Sequence, residues 1–480
     1  MAAPITNIMG AERNVECCEI EASVNTGFEE VAKDEVSEKF GVMATTARGK
    51  INFFMPICDA KKILQLCCVD NLSVIIKHFE EFPFADKLED ALQQFEDVVP
   101  QADWERGLKV WAQFSDFPHP VSATPVAERP QKVDSSGDQA HNTTVGDETV
   151  KETEITGTGD STDVMRERIA SEAGSGEDTP DNKVAKLDPN RELSFRATCY
   201  RSGAKHIFES PQAARSFGGA LQDYFNWKVD LSNFDLEAVL TIENRHVYVA
   251  IMLTKKSLHR RNIANFGPTT LRPTIAYGML RMCHIEPGEV VCDPMCGGGS
   301  IPIEAAINWP NARHICGDNH ELAAPRADKN IAAVNAKRSP NRSKLTVDIF
   351  KWDVRRMPLR ESSVDVFITD LFLFVRSGSK VDNRRLYPQA LTEMARVSRL
   401  TSGRACLLTH DRRSLIQALS SVKSLWKQTG TVATNIGGLA AAVFLLHRTG
   451  AAVTSIGHRK KKPTKTAETV ASPNVTDGGQ

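Results

Sequence analysis

A strand, a glycine-rich turn and a helix follow one another directly at residues 290–307, and this order constrains the fold more than any other feature of the chain. The apolar run Val290–Cys292 ends in Asp293, the turn Cys296–Ser300 holds three consecutive glycines, and the amphipathic run Ile301–Ile307 has helical spacing. Glycines in such a turn let the backbone approach a ligand closely. The order is typical of the first ligand crevice of a doubly wound α/β sheet.

Strand and helix patterns continue to alternate after this unit. Near-continuous apolar runs of this kind fit strands that are buried on both faces of a parallel sheet. The further predicted strands are His314–Asn319, Val347–Phe350, Val364–Asp370, Arg404–His410 and Ala440–Leu446. We expect a sixth, antiparallel strand between the last two. The pattern predicts a Rossmann-like domain over residues 257–450.

Acidic residues end or directly follow the first four predicted strands, at Asp293, Asp318, Asp353 and Asp370. Because the carboxyl ends of parallel strands meet at one edge of a sheet, the side chains of Asp293 and Asp318, at successive strand ends, should point into the same crevice. An acid in the place of Asp318 can accept both hydroxyls of a ribose. The alternative for Asp318 is a cap for the helix that starts near Glu321.

Two smaller segments with mixed strand and helix patterns precede this domain. In residues 14–118, Thr26 lies three residues before Glu29, a spacing that predicts a capping box and a helix start. In residues 191–256, a strand is followed by a helix that Ser210 would cap, and then by two more strands. Both segments therefore indicate small α+β units.

A polar segment, residues 119–190, separates the two units. From residue 121 it has no aromatic residue and contains 15 acidic and 7 basic residues. Such a composition buries too little apolar surface to offset the entropy of ordering, so we predict a disordered acidic linker. An autoinhibitory RNA mimic is the alternative. The end of the chain, residues 451–480, is predicted to be a disordered tail whose basic run 458–462 could contact RNA or act as a nuclear signal.

Composition limits the class of protein. No apolar run reaches the roughly 20 residues that span a bilayer, and the N-terminus lacks the layout of a secretory signal. We therefore expect no membrane partner and a cytoplasmic location, with the nucleus as a second one. The eleven cysteines form no Cys-x-x-Cys pair, so we expect free thiols and no metal site of their own. With a net charge of −1, any nucleic-acid surface must be local.

Two motifs resemble those of THUMP-type RNA methyltransferases that use S-adenosylmethionine (SAM). The run Asp293–Gly297 is similar to the first motif of SAM-dependent methyltransferases acting on RNA, and the run Arg201–Ser210 with Ala213–Arg215 is similar to a THUMP domain. The resemblance implies a ferredoxin-like domain at 14–118, a THUMP domain at 191–256 and a SAM methyltransferase domain at 257–450. It also implies methylation of guanosine N2 at position 6 of tRNA, with the acceptor end of the tRNA gripped by the first two domains.

The resemblance assigns roles to individual residues and adds a partner. The cofactor-binding residues would be Asp293, Met295, Gly297, Gly299, Asp318 and Asp353. Among these, Asp293 would lie near the amino group of the SAM methionine and Asp353 near the adenine amino group. The implied partner is a small zinc-binding activator subunit, forming a heterodimer with the chain.

Basic residues in the THUMP-like segment suggest how RNA would be bound. Arginine and lysine supply salt-dependent phosphate contacts, and ordinary solvated charges are the alternative. The candidates are Arg196, Arg201, Lys205, His206 and Arg215, expected to form one basic face, together with Arg260 and Arg261 at the join to the next domain. The strand-end residue His410 is predicted to make a structural hydrogen bond and not to act as a catalytic base.

The expected catalytic motif departs from the family pattern. Members carry Asp or Asn, then Pro or Leu, Pro, an aromatic residue and often Gly, whereas this chain has the run Asp370-Leu371-Phe372-Leu373-Phe374. Asp370 remains as the acceptor for the amine hydrogens, and Phe372 or Phe374 would stack on a flipped base. The locked φ of proline is missing.

Several alternatives follow from this departure. The first alternative is that the chain is a catalytically impaired RNA-binding protein. The second is that residues 370–375 come from an atypical splice form or from an error in the translated gene. A guanosine N2-methyltransferase for another RNA, such as ribosomal or spliceosomal RNA, is a further alternative. A dinucleotide oxidoreductase is disfavoured, because the turn lacks the spaced glycine fingerprint.

Overall fold

The computed structural model describes residues 15–126, 191–265, 267, 270–371 and 380–453. The predictions made for the inner part of the linker, for the tail beyond residue 453, and for Phe372 and Phe374 lie outside the described residues. The described part of the chain forms two sheets and the helices that cover them. This confirms the predicted α/β fold class.

The first sheet takes strands from both sides of the segment 127–190. Its strands are β1 (Cys17–Val24), β2 (Ala44–Ala47), β3 (Lys50–Pro56), β4 (Val69–Phe79), β5 (Ser194–Ser202), β6 (Lys228–Val229), β7 (Leu236–Glu243) and β8 (His246–Met252). Their order is β2-β3-β1-β4-β8-β7-β5-β6. β4 and β8 pair antiparallel, with Val74 opposite Ile251. The two small units expected from the sequence therefore share one continuous sheet.

Helices cover one face of this sheet. They are α1 (Glu29–Phe40), α2 (Leu88–Asp97), α3 (Trp104–Trp111) and α4 (Ser210–Phe225). Every second residue of β1, from Cys18 to Val24, is buried against this layer, as side-chain alternation along a strand requires. The opposite face is polar and partly exposed. We call it the open face, and it carries Glu19, His78, His246 and Tyr248.

The start of α1 differs from the predicted capping box. The helix begins at Glu29 with Phe28 at the N-cap position, and no side chain caps it. The carboxylate of Glu29 instead accepts hydrogen bonds from the backbone N–H of Gly27 (2.7 Å) and of Gly49 (2.8 Å). Thr26 is therefore not the cap, because the loop that carries Gly49 supplies a tertiary partner for the glutamate.

The start of α4 also differs by one residue from the prediction. Glu209, and not Ser210, takes the N-cap position and forms a capping box with Gln212, while Pro211 lies in the first turn as expected. The predicted helix exists, but its capping residue was wrong. Both cases concern which side chain reaches a free N–H group, and this depends on the path of the preceding loop.

The second sheet has the predicted Rossmann-like arrangement. Its strands are β9 (Val290–Asp293), β10 (Arg313–Asp318), β11 (Val347–Lys351), β12 (Val366–Asp370), β13 (Arg404–Thr409), β14 (Trp426–Ile436) and β15 (Leu439–Arg448). They lie in the order β11-β10-β9-β12-β13-β15-β14, and β9 to β13 are parallel. The predicted sixth strand is present as β14 (Trp426–Ile436), and it pairs antiparallel with its one neighbour in the sheet. The last strand, β15, runs antiparallel to β13, and β14 pairs antiparallel with β15 at the edge.

Helices pack on both faces of the second sheet. They are α5 (Pro273–Arg281), α6 (Ser300–Asn308), α7 (Ala323–Lys337), α8 (Lys380–Val397) and α9 (Arg412–Ser421). Neighbouring residues of β12 point to opposite sides: Ile368 joins the core that contains α5, and Phe367 joins the core under α8 and α9. No helix among the described residues is long and apolar enough to cross a membrane.

A continuous apolar core joins the two sheets. It includes residues of β1, β4 and α1 from the first unit and residues of α5, β9 and β12 from the second. Gly278 of α5 lies so close to the Phe28 ring that a Cβ atom there would be 2.4 Å from it. Polar contacts support this packing, because the hydroxyl of Thr274 donates to the buried carboxylate of Asp70 at 2.7 Å. The two units are therefore held in one fixed arrangement.

Candidate active site

The parallel strands bring the predicted acidic residues to one edge of the second sheet. Cys316 pairs with Asp293, Asp318 pairs with Lys351, and Asp370 ends β12 on the other side of β9. Strand direction places all these carboxyl ends on the same side. The edge therefore gathers residues that are far apart in the sequence, as predicted.

Asp293 is a buried carboxyl group at the end of the central strand. It is 3% exposed, and its Oδ1 accepts a hydrogen bond from the backbone N–H of Met295 at 3.1 Å. Burial raises the pKa of Asp293 to about 7, although hydrogen bonds from the Thr369 side chain and the Met295 backbone lower it. A cationic ligand group beside this carboxyl would favour its ionised form.

The glycine-rich turn is held by Asp318. One oxygen of this carboxylate accepts from the backbone N–H of Gly297 at 2.9 Å, and the other accepts from the N–H of His320 at 2.8 Å. Gly297 and Gly299 have φ values of 49° and 87°, a region that favours glycine. The alternative of a cap at the start of α7 is not observed, because that helix has no side-chain cap.

The turn also leaves an open side. A Cβ atom built on Gly297 would meet no described atom within 4 Å, whereas one on Gly299 would be 3.1 Å from the side chain of Ala327. Gly299 is thus needed for close packing against α7, and Gly297 faces free space. A ligand can approach the backbone there.

Asp353 follows the third parallel strand and lies beside a tryptophan. Hydrogen bonding to Arg355 lowers the pKa of Asp353. The preceding residue, Trp352, is buried and donates from Nε1 to the carbonyl oxygen of Pro294 at 3.0 Å. A Cβ atom on Gly317 would lie 2.4 Å from the Trp352 ring, so the indole packs directly on this backbone. Sequence reasoning did not identify Trp352 as part of the site.

The segment after Asp370 is anchored by Tyr387 of α8. The Tyr387 hydroxyl donates to the backbone carbonyl of Leu371 at 3.1 Å and lies 3.2 Å from the hydroxyl oxygen of Thr409. Burial raises the pKa of Tyr387 to about 12, so the group is a neutral donor at physiological pH. The backbone that follows Asp370 is therefore held by a buried side chain of α8.

Asn330 of α7 is a second residue that sequence reasoning missed. It is fully buried, and its amide group donates to the carbonyl of Gly298 at 2.9 Å while its Oδ1 accepts from the N–H of Asn265 at 2.7 Å. It thereby connects the glycine-rich turn to the segment before α5. An asparagine within a helix carries no signal of such a contact in the sequence.

The predicted single basic face is divided in the structure. Arg196 pairs with Glu237 and lies 4.0 Å from the Phe234 ring centre on one face of β5. Arg201, five residues later, points to the helical side and donates to the carbonyl of Phe208. An odd separation along a strand places side chains on opposite faces, which is why one common face was wrong.

The other predicted THUMP-like residues differ in accessibility. His206 is partly buried and hydrogen-bonds the carbonyl of Asn244 at 2.9 Å, whereas Lys205 and Arg215 are exposed. Lys205 and Arg215 are thus accessible to a phosphate.

A cavity of about 550 Å³ contains the two arginines predicted at the join. We call it the basic cavity. Its cationic lining residues are Arg260, Arg261, Lys337, Arg338 and Arg342, and none of the described residues that line it is acidic. Arg261 is partly neutralised, because it pairs with Glu304 behind the cavity at 3.2 Å. The three cations from the end of α7 and the following loop were not predicted.

His410 has the structural role expected from the sequence. Its Nδ1 lies 3.0 Å from the carbonyl oxygen of Ala440 at the start of the neighbouring strand β15. All eleven cysteines are free, as expected, and eight of them are buried. Cys296 in the glycine-rich turn and Cys316 beside Asp293 are among the buried ones.

Comparisons with known proteins agree on the kind of domain. Residues 260–442 match the family UPF0020, described as RMKL-like, methyltransferase domain. The chain is 42% identical over 452 residues to tRNA (guanine(6)-N(2))-methyltransferase THUMP3 of Bos taurus, covering 90% of this chain and 88% of the relative. The corresponding protein of Homo sapiens is 41% identical over 451 residues, with the same coverage. U6 snRNA (guanine-N(2))-methyltransferase THUMPD2 of Mus musculus is 30% identical over 230 residues, which is 48% of this chain and 41% of the relative.

Solved structures share the fold over most of the chain. TrmN from Thermus thermophilus superposes with a TM-score of 0.62 at 20% identity, covering 90% of this chain and 99% of TrmN. The protein SMU.472, complexed with SAH, superposes with a TM-score of 0.59 at 14% identity, covering 90% of this chain and 98% of its own. At these identities the likeness concerns the fold.

Proposed function

The chain belongs to the family of tRNA (guanine(6)-N(2))-methyltransferases, and from this premise we propose that it methylates N2 of guanosine 6 in tRNA, with SAM as the methyl donor. The observation that carries the proposal is the convergence of Asp293, Asp318 and Asp370 at one edge of the parallel sheet, beside an open glycine-rich turn.

The residues around the turn fit SAM. Asp293 lies where an ionised carboxylate would attract the amino group of the methionine part. The oxygens of Asp318 each accept one backbone N–H and keep lone pairs for ribose hydroxyls. Asp353 lies next to the flat Trp352 side chain. It can accept a hydrogen bond from the adenine amino group once it gives up its ion pair with Arg355. Bound SAM supplies the activated methyl group.

Asp370 and the carbonyl of Leu371 can act on the guanine amine. The lone pair of this nitrogen is delocalised into the ring, and acceptors for its two hydrogens favour the geometry for in-line attack on a methyl group. The hydroxyl of Tyr387 fixes the direction of the Leu371 carbonyl. Tyr387 is thus a positioning residue that supports the carbonyl in a chain whose motif lacks proline.

RNA binding without methyl transfer is the second candidate function. Position 372 carries phenylalanine where the family pattern has proline, so the segment after Leu371 loses a locked φ. This candidate predicts normal binding of SAM and tRNA with no turnover.

For the RNA itself, we propose that exposed Lys205 and Arg215 and the basic cavity contact phosphates. The cavity is lined by residues 260–264 at the start of the second unit and by the end of α7 with its following loop. Arg261 pairs with Glu304, and the other arginine and lysine side chains of the lining attract the RNA backbone. Since the shared core fixes both units, the distance from these contacts to the acidic edge would select the methylated position.

A small zinc-binding activator subunit is the protein partner that we propose. β11 is an edge strand of the second sheet, and its Phe350 is 42% exposed. An edge strand with an exposed aromatic side chain is a surface to which another chain can add. Co-purification of the activator with the wild-type chain, and its loss with Phe350→Asp, would support this contact; unchanged co-purification with Phe350→Asp would exclude it.

The cytoplasm is the cellular location that we propose, with the nucleus as a second one through the basic run 458–462. Imaging of a fluorescent fusion with and without Lys460→Ala, Lys461→Ala and Lys462→Ala tests the nuclear part. A nuclear fraction that does not change with these substitutions would exclude the run as a signal.

The main experiment measures methyl transfer from labelled SAM to unmodified tRNA by the purified chain together with the activator. Products are digested and searched for N2-methylguanosine, and a tRNA with adenosine at position 6 serves as the matched control. We expect label in the first tRNA and none in the second. Equal labelling of both would contradict the assigned position.

Two further arms separate the alternatives. No product, with normal binding of SAH and tRNA and rescue by Phe372→Pro, Leu373→Phe and Phe374→Gly, would identify an impaired catalytic segment. Strong labelling of U6 snRNA that tRNA fails to compete would identify another RNA as the substrate.

A further inference from the structure

Two histidines and a glutamate meet on the open face of the first sheet, away from the acidic edge. His78 lies near the end of β4, Glu80 follows that strand, and His246 begins β8. The antiparallel pairing of the strands sets His78 opposite Tyr248, so His246 is its diagonal neighbour on the same face. One donor atom from each of the three side chains lies within 4.8 Å of the others.

The two imidazole groups already face each other as metal ligands would. Nδ1 of His78 and Nε2 of His246 are 3.0 Å apart. Two nitrogens bound to one tetrahedral Zn²⁺ are separated by about 3.3 Å, given the usual Zn–N bond lengths. A shift of a few tenths of an ångström therefore converts the observed pair into a ligand pair.

Glu19 of β1 prepares His78 for this role. Its carboxylate lies 2.9 Å from Nε2 of His78 and accepts the proton on that nitrogen, so the lone pair stays on Nδ1, which faces His246. Ligand histidines commonly donate their other N–H to a carboxylate in this way. The 3.0 Å contact is then a hydrogen bond that Nε2–H of His246 donates to Nδ1 of His78. An ion that binds here displaces this proton, and His246 carries its remaining proton on Nδ1 and presents a lone pair on Nε2.

Charge and access also suit a cation. Glu80 and Glu19 together supply two negative charges for a divalent ion, and the His78 side chain is 31% exposed, so an ion from solution can reach it. Two imidazole nitrogens and one carboxylate oxygen are a ligand set that Zn²⁺ prefers, with water completing four ligands.

We propose that His78, His246 and Glu80 bind one Zn²⁺ ion on the open face, with Glu19 orienting His78. The ion connects β4, which precedes the segment 127–190, to β8, which follows it. It therefore ties together the two parts of the chain that build the first sheet. This site is independent of the proposed methyl transfer.

The test uses the full-length chain without a histidine tag, stripped with a chelator. Co²⁺ is added as a spectroscopic probe, and Zn²⁺ is then used to displace it. We expect one Co²⁺ per chain with the intense visible absorption of a four-coordinate site, and a higher melting temperature with Zn²⁺. The absence of this absorption in the wild-type chain would overturn the proposal.

Variants identify the ligands. His78→Gln and His246→Gln should abolish the absorption, and Glu19→Gln should weaken Zn²⁺ binding by about 10–100-fold. The matched controls are Glu81→Gln, the neighbour that pairs with Arg245, and His447→Gln on the other sheet, and both should bind like the wild type. Retention of the absorption in His246→Gln would overturn the assignment, and so would its retention in the exposed variant Glu80→Gln, which leaves the core intact.

Discussion

Asp293 is a buried carboxyl group that must be ionised to attract the cationic end of a ligand. Its pKa, about 7, lies above its ordinary value of 3.8. In the ligand-free protein the native state therefore holds this proton more tightly than the unfolded state. By linkage, Asp293 lowers stability as the pH rises from 3.8 towards 7.

We predict that the affinity for SAM depends on this proton. Below pH 7 the Asp293 carboxyl is neutral, so affinity should fall by up to about tenfold for each pH unit, and above pH 7 it should level off. Calorimetric titration between pH 5.5 and 8.5 measures the effect. Asp293→Asn should bind weakly without this pH dependence, and the same pH profile in both proteins would contradict the assignment.

Tyr387 offers a second test at the level of a single residue. Tyr387→Phe removes the hydroxyl that holds the Leu371 carbonyl, which should lower kcat by about tenfold and stability by about 1 kcal/mol. The dissociation constant for SAH should not change, because the contacts of the hydroxyl are to Leu371 and Thr409 and not to residues assigned to SAM. Single-turnover kinetics with calorimetry separates the two effects. A change of less than twofold in kcat would contradict the positioning role.

At the scale of secondary structure elements, the contact between β10 and Trp352 gives a matched pair of substitutions. In Gly317→Ala the added Cβ would overlap the indole ring, which should cost about 1–3 kcal/mol and weaken SAM binding. Gly219→Ala, in the middle of α4 with open space around it, should stabilise by about 0.5–1 kcal/mol. Denaturant unfolding measures both. Equal stability of the two variants would contradict the packing argument.

The basic cavity formed by α7 and the join can be tested by its charge. The double variant Lys337→Gln/Arg342→Gln should bind tRNA more weakly than the wild type. The slope of the logarithm of its tRNA-binding constant against the logarithm of the salt concentration should be smaller by up to about 2. Lys423→Gln, an exposed lysine beyond α9 on the other side of the second sheet, is the control. An unchanged slope in the double variant would show that phosphates do not enter the cavity.

Strand patterns and strand-end acids were predictable from the sequence because both depend on local order. The apolar runs predicted β9 to β13. Because β9 and β10 run in the same direction, their final residues Asp293 and Asp318 lie at one edge of the sheet. Contacts made by tertiary packing were not predictable. Asn330 contacts Gly298 of the glycine-rich turn, and Trp352 contacts Pro294 just before it, only after α7 and β11 pack beside β9 and β10. Neither residue has a sequence signal for that contact.

Errors in the prediction had the same origin. Thr26 is not the predicted cap, because the Glu29 carboxylate accepts a hydrogen bond from the backbone N–H of Gly49 across a loop. The predicted single basic face is absent, because Arg196 and Arg201 point to opposite faces of β5. Which of β14 and β15 runs against the parallel strands depends on their order in the sheet, and the hairpin that joins them does not reveal this order.

At the scale of the whole molecule, the continuous core predicts cooperative unfolding. Because residues of both sheets share this core, calorimetry should give a single transition, and SAH should move all of it to a higher temperature. Two transitions, with SAH moving only one, would show that the units are independent. Gly278→Val, which would overlap the Phe28 ring, should lower the transition temperature more than Gly219→Ala changes it.

The pairing of β4 with β8 has a consequence for synthesis of the chain. Roughly 170 residues separate the two strands, and at about 5–20 residues per second the ribosome needs roughly ten to thirty seconds to make them. During that interval β4 is an unpaired edge whose apolar residues Val74 and Ile76 have only part of their native cover. The newborn chain therefore passes through a period in which the unpaired edge of β4 is open to aggregation with other chains.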